Sequence, residues 1–287
     1  MKHLAFLAAV LGIHMTQVSG PHSTTIAFDP AQNAYLICIP VKVNGQGPFQ
    51  FVLDSGNAGE TIVTPELAQK LGLAEGKPVK GVYTVGLNTD IKMSWVSSID
   101  VGSIHRGKTK VGVSSAMSEV GKQIKRQVDG NLGYEFLKQF ALTIDLKKHE
   151  LTFVQSPRDA GGTSFQTPKG NGILILDVLV AGKPFRFALD TGASFTCVSE
   201  ELVSRLSLQE GQKFALNGNP NEMGSRVKLP LFSVAGKEVK DLPVVAAPFV
   251  NALSEKLKTK IDGVIGRNFW GQFELTIDYP HKVVRLN

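Results

Sequence analysis

Two segments of this 287-residue chain each place an aspartate at the end of an apolar run and follow it with a hydroxyl residue and a glycine. They are Phe51–Thr64 (FVLDSGNAGETIVT), with Asp54, and Phe187–Ser199 (FALDTGASFTCVS), with Asp190. A single segment of this kind is typical of a turn, because Asp and Thr hydrogen-bond their own backbone and Gly accepts a positive φ. Two copies favour paired-carboxylate chemistry, in which one carboxylate accepts a proton from water while the other donates one.

The residues that follow each aspartate fit the same interpretation. The hydroxyls of Ser55 and Thr191 are expected to tie two facing loops together, and Gly56 and Gly192 to let backbone amides approach the carboxylates. Two carboxylates held face to face cannot both ionise freely, so the pair should hold one proton over a broad pH range and titrate as a unit.

The aspartate segments belong to an internal repeat. A second pair of segments, VDGNLGYEFLKQFALTIDLKKHELTF from Val128 and IDGVIGRNFWGQFELTIDYPHKVVRL from Ile261, aligns without a gap and shares about ten identities. The sequence therefore predicts two similar lobes, and a pseudo-twofold packing of these lobes would bring the two aspartate loops together.

Short runs rich in Val, Ile, Leu, Phe and Thr, separated by turn residues, make up most of the chain and predict a mainly β fold. Short helices are expected at Thr64–Gly72, with Thr64 as the N-cap and Pro65 in the first turn, and after Ser199 as the N-cap of the repeat partner.

Composition divides the chain into four parts. Residues 1–20 are expected to be a signal peptide, 21–155 an N-terminal β lobe, 156–170 a linker rich in Pro, Gly and Ser, and 171–287 a C-terminal β lobe. The leader has a basic start, an apolar run and a small residue at the predicted cleavage site. Its apolar run is too short to span a bilayer, so we expect export, to the periplasm or as a secreted protein, without a stable membrane anchor.

Charge and histidine spacing argue against several other functions. The net charge is +6, and the densest basic stretch, Arg106–Arg126, has no interleaved aromatics, so it is interpreted as a solvated loop or surface strand and no nucleic-acid partner is expected. The six histidines show no metal-binding spacing, so we expect no metal and no cofactor.

The chain has two cysteines, one in each half. In the repeat, Cys38 aligns with Ile175 and Cys197 with Ile62, so each thiol occupies a position that is aliphatic in the other lobe. Buried thiols are therefore favoured over a disulfide between the lobes.

These motifs resemble those of the pepsin-like and retropepsin-like aspartic proteases, and the compact chain is similar to the bacterial members. The second aspartate segment agrees with the family's active-site signature, and the family's apolar-apolar-Gly element appears at Val264–Gly266 and, less closely, at Asn131–Gly133. The resemblance spans about Ala34 to Asn287. It implies a bilobal acid-protease fold with a cleft between the lobes, Asp54 and Asp190 as the catalytic pair, and Gly133 and Gly266 as the supporting loop glycines.

The resemblance also implies a flap, a hairpin that closes over the substrate, within GVYTVGLNTDIKMSWVSS from Gly81. Tyr83 is its candidate aromatic residue, although packing within a strand is the alternative. The first lobe departs from the family pattern at Asn57, Glu60 and Asn131. Glu60 is expected to point to solvent rather than to raise the affinity of the aspartate pair for a proton.

We therefore expect a monomeric aspartic endopeptidase that holds a peptide or protein substrate in an extended conformation. One alternative is a catalytically inactive peptide-binding module on the same fold. The other is a structural or assembly protein, which would be favoured if Asp54 and Asp190 were far apart. The retention of two mutually repelling carboxylates favours the enzyme.

Overall fold

A computed structural model describes residues 18–19, 23–28, 36–74, 76–80, 90–155, 157–216 and 219–287. Tyr83 and most of the predicted signal peptide lie outside the described residues. The flap tyrosine, the signal peptide and its cleavage site therefore stay predictions.

Short strands account for most of the regular structure. In chain order they are β1 (Val18–Ser19), β2 (Ser23–Ala27), β3 (Cys38–Val43), β4 (Gln46–Leu53), β5 (Ile62–Val63), β6 (Pro78–Lys80), β7 (Asp90–Val96), β8 (Ile99–Val101), β9 (Ile104–Arg106), β10 (Thr109–Val113), β11 (Gly130–Leu132), β12 (Phe140–Asp145), β13 (Glu150–Gln155), β14 (Thr163–Ser164), β15 (Leu174–Val180), β16 (Lys183–Leu189), β17 (Cys197–Val198), β18 (Lys213–Leu216), β19 (Asn219–Val234), β20 (Lys237–Ala246), β21 (Gly263–Ile265), β22 (Leu275–Asp278) and β23 (Val283–Leu286).

The helices are short and lie between the strands. They are α1 (Pro65–Lys70), α2 (Ala116–Ile124), α3 (Tyr134–Leu137), α4 (Glu200–Arg205), α5 (Phe249–Leu257) and α6 (Arg267–Trp270). Among the described residues, no helix has both the length and the apolar character needed to cross a membrane.

The strands form three sheets. The first half of the chain forms a ten-stranded sheet in the order β1-β9-β8-β3-β4-β11-β5-β10-β7-β6, and the second half forms a seven-stranded sheet in the order β15-β16-β21-β17-β20-β19-β18. A six-stranded sheet, β14-β23-β22-β12-β13-β2, takes strands from both halves. The predicted mainly β, two-lobed fold is confirmed.

Each lobe positions its aspartate with the same three strands. β11 lies between β4 and β5, parallel to β4, and pairs Leu132 with Leu53. β21 lies in the same way between β16 and β17 and pairs Ile265 with Leu189. The aspartate that follows β4 and the one that follows β16 therefore leave their sheets at equivalent positions.

The pseudo-twofold axis that relates the lobes passes through the six-stranded sheet that they share. β12 and β22 run antiparallel and pair Thr143 with Thr276, whose Oγ1 atoms are 2.9 Å apart. These threonines occupy equivalent positions in the sequence repeat, so a local twofold axis passes between them. The same axis brings the two aspartate loops face to face.

The two predicted helices are present and begin as expected. Thr64 Oγ1 accepts a hydrogen bond from the amide of Leu67 at the start of α1, and Ser199 Oγ accepts one from the amide of Leu202 at the start of α4. Each cap satisfies a backbone donor that has no partner within the helix. Leu67 and Leu202 are buried, so each helix packs an apolar side chain on its lobe directly after the cap.

The interpretation of Arg106–Arg126 as a loop or surface strand is wrong for its second half, which forms helix α2. Ser115 stands at the N-cap of this helix, but its side chain makes no capping hydrogen bond. The helix also contains Gly121, where a Cβ would lie 2.7 Å from a backbone oxygen. The apolar side chains of Ala116 and Met117 are buried, so packing rather than intrinsic propensity stabilises this helix.

Cys38 and Cys197 do not form a disulfide, which confirms the preference for thiols. Both residues are partly rather than completely buried. Burial raises the pKa of the Cys38 thiol to about 11 and that of Cys197 to about 12. Both thiols are therefore protonated near neutral pH and are poor nucleophiles.

Candidate active site

The side chains of Asp54 and Asp190 meet at the interface between the lobes, where a Cβ on Gly192 would lie 2.9 Å from Oδ1 of Asp54 and 3.2 Å from Oδ1 of Asp190. Asp54 Oδ1 accepts hydrogen bonds from the amides of Gly56 (3.0 Å) and Asn57 (3.1 Å). Asp190 Oδ1 accepts one from the amide of Gly192 (2.7 Å). Each loop thus turns back on its own aspartate and presents backbone donors to it.

Reciprocal hydrogen bonds join the two loops. Thr191 Oγ1 accepts from the amide of Ser55 (2.9 Å) and donates to the carbonyl of Leu53 (2.9 Å). Ser55 Oγ accepts from the amide of Thr191 (2.9 Å) and donates to the carbonyl of Leu189 (3.0 Å). Both hydroxyl side chains are buried, so these four bonds hold the carboxyl groups at a fixed separation. Ser55 and Thr191 therefore join the two aspartate loops across the interface between the lobes.

Gly56 and Gly192 make room for the carboxyl group of the opposite lobe. A Cβ on Gly56 would lie 2.5 Å from Cγ of Asp190, and a Cβ on Gly192 would lie 2.9 Å from Oδ1 of Asp54. Both distances are shorter than a non-bonded carbon contact allows, so any side chain at either position would push the carboxyl groups apart.

Gly133 and Gly266 stand at the start of α3 and α6, directly behind the two aspartate loops. A Cβ on Gly133 would lie 2.4 Å from Nδ2 of Asn57, and a Cβ on Gly266 would lie 2.3 Å from the carbonyl carbon of Phe195. The predicted loop glycines are therefore required by the close approach of the aspartate loops.

The helices that follow these glycines also bind the loops. The amide of Tyr134 donates to the carbonyl of Asn57 (2.9 Å), and the amide of Arg267 donates to the carbonyl of Ala193 (2.8 Å). Amides in the first turn of a helix have no partner within it. Here they are satisfied by the aspartate loops, which are thereby held from behind in both lobes.

The two carboxyl groups have raised proton affinity. The pKa of Asp190 is raised to about 7, mainly by burial and also by the negative charge of Asp54. Burial also raises the pKa of Asp54, and this effect is opposed first by a hydrogen bond from Asn131 and then by backbone amides. The pair therefore keeps one proton through the mildly acidic range.

Asn131 also belongs to the site, although the sequence indicated it only as a departure from the family pattern. It is completely buried, and its Nδ2 donates to Oδ2 of Asp54 (2.5 Å). Asn57, another departure, donates from its own Nδ2 to Oδ1 of Asn131 (3.1 Å). One feature of the sequence could have indicated this role: Asn131 is polar, whereas the residue aligned with it in the second repeat is the apolar Val264.

Glu60, the third departure, is less exposed than the sequence predicted. Its carboxyl group is partly buried, and burial raises its pKa. The charge of Glu135 raises this pKa further, whereas the charge of Arg106 lowers it. The side chain therefore lies among other charged groups rather than projecting freely into solvent.

The acids that begin the second repeated segment bind backbone amides of β4 and β16. Asp129 Oδ2 accepts from the amide of Gln50 (2.7 Å), and Asp262 Oδ2 accepts from the amide of Arg186 (2.9 Å). These bonds fix the strands that lead into the two aspartate loops. In the part of the chain that the structure describes, no group of three His, Cys, Asp or Glu side chains is placed to hold a metal ion.

A cleft of about 610 Å3 opens over the aspartate pair. Both Asp54 and Asp190 line it. Helix α2 contributes one apolar wall and helix α5 contributes the other, through Met117, Val120, Ile124, Phe249, Leu253 and Leu257. The carboxyl groups therefore face a groove that has largely apolar sides and is open to solvent.

This arrangement can carry out general acid-base hydrolysis. An ionised carboxylate beside a protonated carboxyl group can accept a proton from a bound water while its neighbour donates one to an acceptor oxygen. The fixed loops, the polar floor and the apolar walls fit a substrate whose reacting group is polar and whose flanking groups are apolar.

The fold and the site define a two-lobed β protein with paired aspartates between its lobes. The sequence matches the family described as aspartyl protease over residues 39–136 and 176–269, and each matched range contains one of the two aspartates. Because these ranges cover more than half of the chain, the protein belongs to the aspartyl protease family.

One similar solved structure is that of a retropepsin-like aspartic protease from Rickettsia conorii. The two proteins are 22% identical over 48% of this chain and 96% of the other, with a TM-score of 0.35. No curated protein matches the sequence.

Proposed function

We propose that the protein is an aspartic endopeptidase that hydrolyses peptide bonds with Asp54, Asp190 and an activated water. The observation that carries this proposal is the adjacent pair of carboxyl groups, which is held by the Ser55 and Thr191 network and faces an open cleft. Such a pair is costly to retain without a function, because burial raises the pKa of both carboxyl groups and the charge of Asp54 raises that of Asp190 further.

In the proposed reaction the pair holds one proton and a water molecule lies between the carboxyl groups and the substrate. The ionised carboxylate accepts a proton from the water as its oxygen attacks the peptide carbonyl carbon, and the protonated carboxyl donates to the carbonyl oxygen. Transfer of the first proton to the leaving nitrogen then allows the C–N bond to break. The two carboxyl groups exchange roles during the cycle, so no covalent intermediate is needed.

The substrate is proposed to be a peptide or protein segment in an extended conformation. The cleft is bounded on both sides by apolar residues of α2 and α5, so side chains on either side of the reacting bond would contact apolar surface. The N-terminal segment supports export to the periplasm or outside the cell, and the protein is proposed to act there as a monomer.

The proposal is tested by incubating the purified protein with a mixed peptide library across acidic to neutral pH. We expect cleavage by the wild type and its loss in Asp54→Asn and Asp190→Asn. Asp177→Asn is the matched control, because Asp177 is an exposed residue of β15 and its substitution should leave cleavage unchanged.

Peptide binding is measured in parallel. Variants at Asp54 and Asp190 that bind library peptides without cleaving them would show that the cleft is intact and that the carboxyl groups perform the chemistry. A folded wild type that binds peptides and cleaves none at any pH would contradict the proposal and leave an inactive peptide-binding module as the function.

A further inference from the structure

The two aspartates have similar backbone donors but different side-chain neighbours. Asn131 donates to Oδ2 of Asp54, whereas the equivalent position in the second lobe is Val264, which is buried and cannot donate. The strand pairing confirms the equivalence, since Asn131 pairs with Ile62 and Val264 with the repeat partner of that residue. The pseudo-twofold symmetry of the site is therefore broken at one polar side chain.

The orientation of this polar side chain begins at Asn57. Oδ1 of Asn57 accepts from the amide of Gly59 (3.1 Å), and its Nδ2 donates to the carbonyl of Glu60 (2.9 Å). A backbone amide can only donate and a backbone carbonyl can only accept. These two contacts therefore permit one orientation of the Asn57 side-chain amide.

The fixed amide of Asn57 determines the orientation of the next one. Because Nδ2 of Asn57 donates to Asn131, the atom of Asn131 that receives this bond must be Oδ1. Nδ2 of Asn131 then points at Oδ2 of Asp54. Since Oδ1 of Asp54 already accepts two backbone amides, both of its oxygens face donors, as an ionised carboxylate requires.

We infer that Asn131 fixes the position of the shared proton, so that Asp54 is the carboxylate and Asp190 carries the proton. Asn131 is thus a positioning residue that acts through Asp54, and the inference rests on the proposed function for its consequence in the reaction. Asp54 accepts the proton of the attacking water, while Asp190 donates its proton to the peptide carbonyl oxygen. As the C–N bond breaks, Asp54 passes its proton to the nitrogen and the tetrahedral intermediate returns one to Asp190.

Other titratable groups near the pair do not supply this asymmetry. Burial raises the pKa of Tyr279 far above its usual value and that of Cys197 to about 12, so both are neutral over the relevant pH range. Among the described residues that line the cleft, Glu222 and Lys256 carry opposite charges. Glu60 lies among charged groups of both signs.

The test compares the titration of the two carboxyl groups in the wild type, Asn131→Val and Val264→Asn. Carboxyl carbons are followed by NMR in protein labelled with 13C at aspartate, and the Asp54→Asn and Asp190→Asn variants assign the two signals. In the wild type, the larger part of the first ionisation should appear at Asp54. This measurement does not require activity.

Asn131→Val copies the residue of the second lobe and removes the donor to Asp54. We expect the first ionisation to move upward by about one to two pH units, because the hydrogen bond favours the charged form. The acidic limb of the pH profile of kcat/KM should move by the same amount. Val264→Asn should lower the pH at which Asp190 ionises, since it offers a donor to the other carboxyl group.

Asn131→Asp keeps the size of the side chain and serves if Asn131→Val does not fold. It replaces the amide donor with a carboxyl group, which in its ionised form repels Asp54 and raises the pH at which Asp54 ionises. The inference is overturned if folded Asn131→Val leaves the ionisation of Asp54 unchanged, or if Asp190 ionises first in the wild type. Absence of cleavage by the wild type would contradict the proposed function alone, because the order of ionisation is read independently.

Discussion

Asp190→Asn should remove a large pH dependence of the free energy of unfolding. In the folded protein the pKa of Asp190 is raised from its ordinary value of 3.8 to about 7, first by burial and then by the charge of Asp54. Between these two values the folded protein holds a proton that the unfolded chain has lost. The unfolded chain binds fewer protons there, so the free energy of unfolding falls as pH rises from about 4 to about 7.

The shift from 3.8 to about 7 is about three pKa units. At about 1.4 kcal/mol per unit, the full effect is about 4 kcal/mol, of which about 3 kcal/mol develops between about pH 4.5 and pH 7.5. An asparagine at this position is neutral at every pH and makes no such contribution. Relative to the wild type, the variant should therefore gain at most about 3 kcal/mol over this interval, because Asp54 loses an interaction with Asp190 that lowers its own pKa.

The assay is urea unfolding at both pH values, followed by tryptophan fluorescence. Trp270 is completely buried and reports the loss of the second lobe's core, whereas Trp95 is half-exposed. At each pH the free energy of unfolding of the wild type is subtracted from that of the variant, and the two differences are compared. Groups that titrate equally in both proteins cancel in this comparison. A difference that stays the same at the two pH values would refute the raised pKa of Asp190.

Two further substitutions test the geometry around the pair. Ser55→Ala leaves the buried amide of Thr191 and the carbonyl of Leu189 without their partners. It should therefore lower the free energy of unfolding, measured in urea titrations, by about 2–4 kcal/mol. A loss below about 0.5 kcal/mol would mean that the network is not stabilising. Gly56→Ala should abolish peptide cleavage, because its Cβ would displace the carboxyl group of Asp190, whereas Gly107→Ala, whose Cβ would meet nothing within 4 Å, should not. Equal activity in these two glycine variants would contradict the close packing of the loops.

The repeat made the central features of the site predictable. Two copies of an aspartate segment, each followed by a strand pattern at nearly the same interval, require equivalent positions in two similar lobes. The roles of Ser55, Thr191, Gly56 and Gly192 follow from this symmetry, because a loop that must approach its own copy needs short donors and no Cβ. Gly133 and Gly266 contact the aspartate loop of their own lobe, and the family resemblance indicated their roles.

The asymmetric features were not predictable in the same way. Asn57 and Asn131 are 74 residues apart in sequence, and their contact exists because β11 is inserted between β4 and β5. Helix α2 was not predicted, since it contains Gly121, a residue of low helix propensity, within a stretch dense in basic residues. Its position as a wall of the cleft depends on tertiary packing, which local sequence patterns do not encode.

The most direct test of paired-aspartate hydrolysis is the pH profile of kcat/KM for one cleaved peptide, measured for the wild type, Asp54→Asn and Asp190→Asn. The wild type should give a bell-shaped profile whose alkaline limb falls near pH 7, because the reaction requires the proton that Asp190 loses there. Both variants should be inactive at every pH. A rate that continues to rise above neutral pH, or substantial cleavage by either variant, would contradict the mechanism.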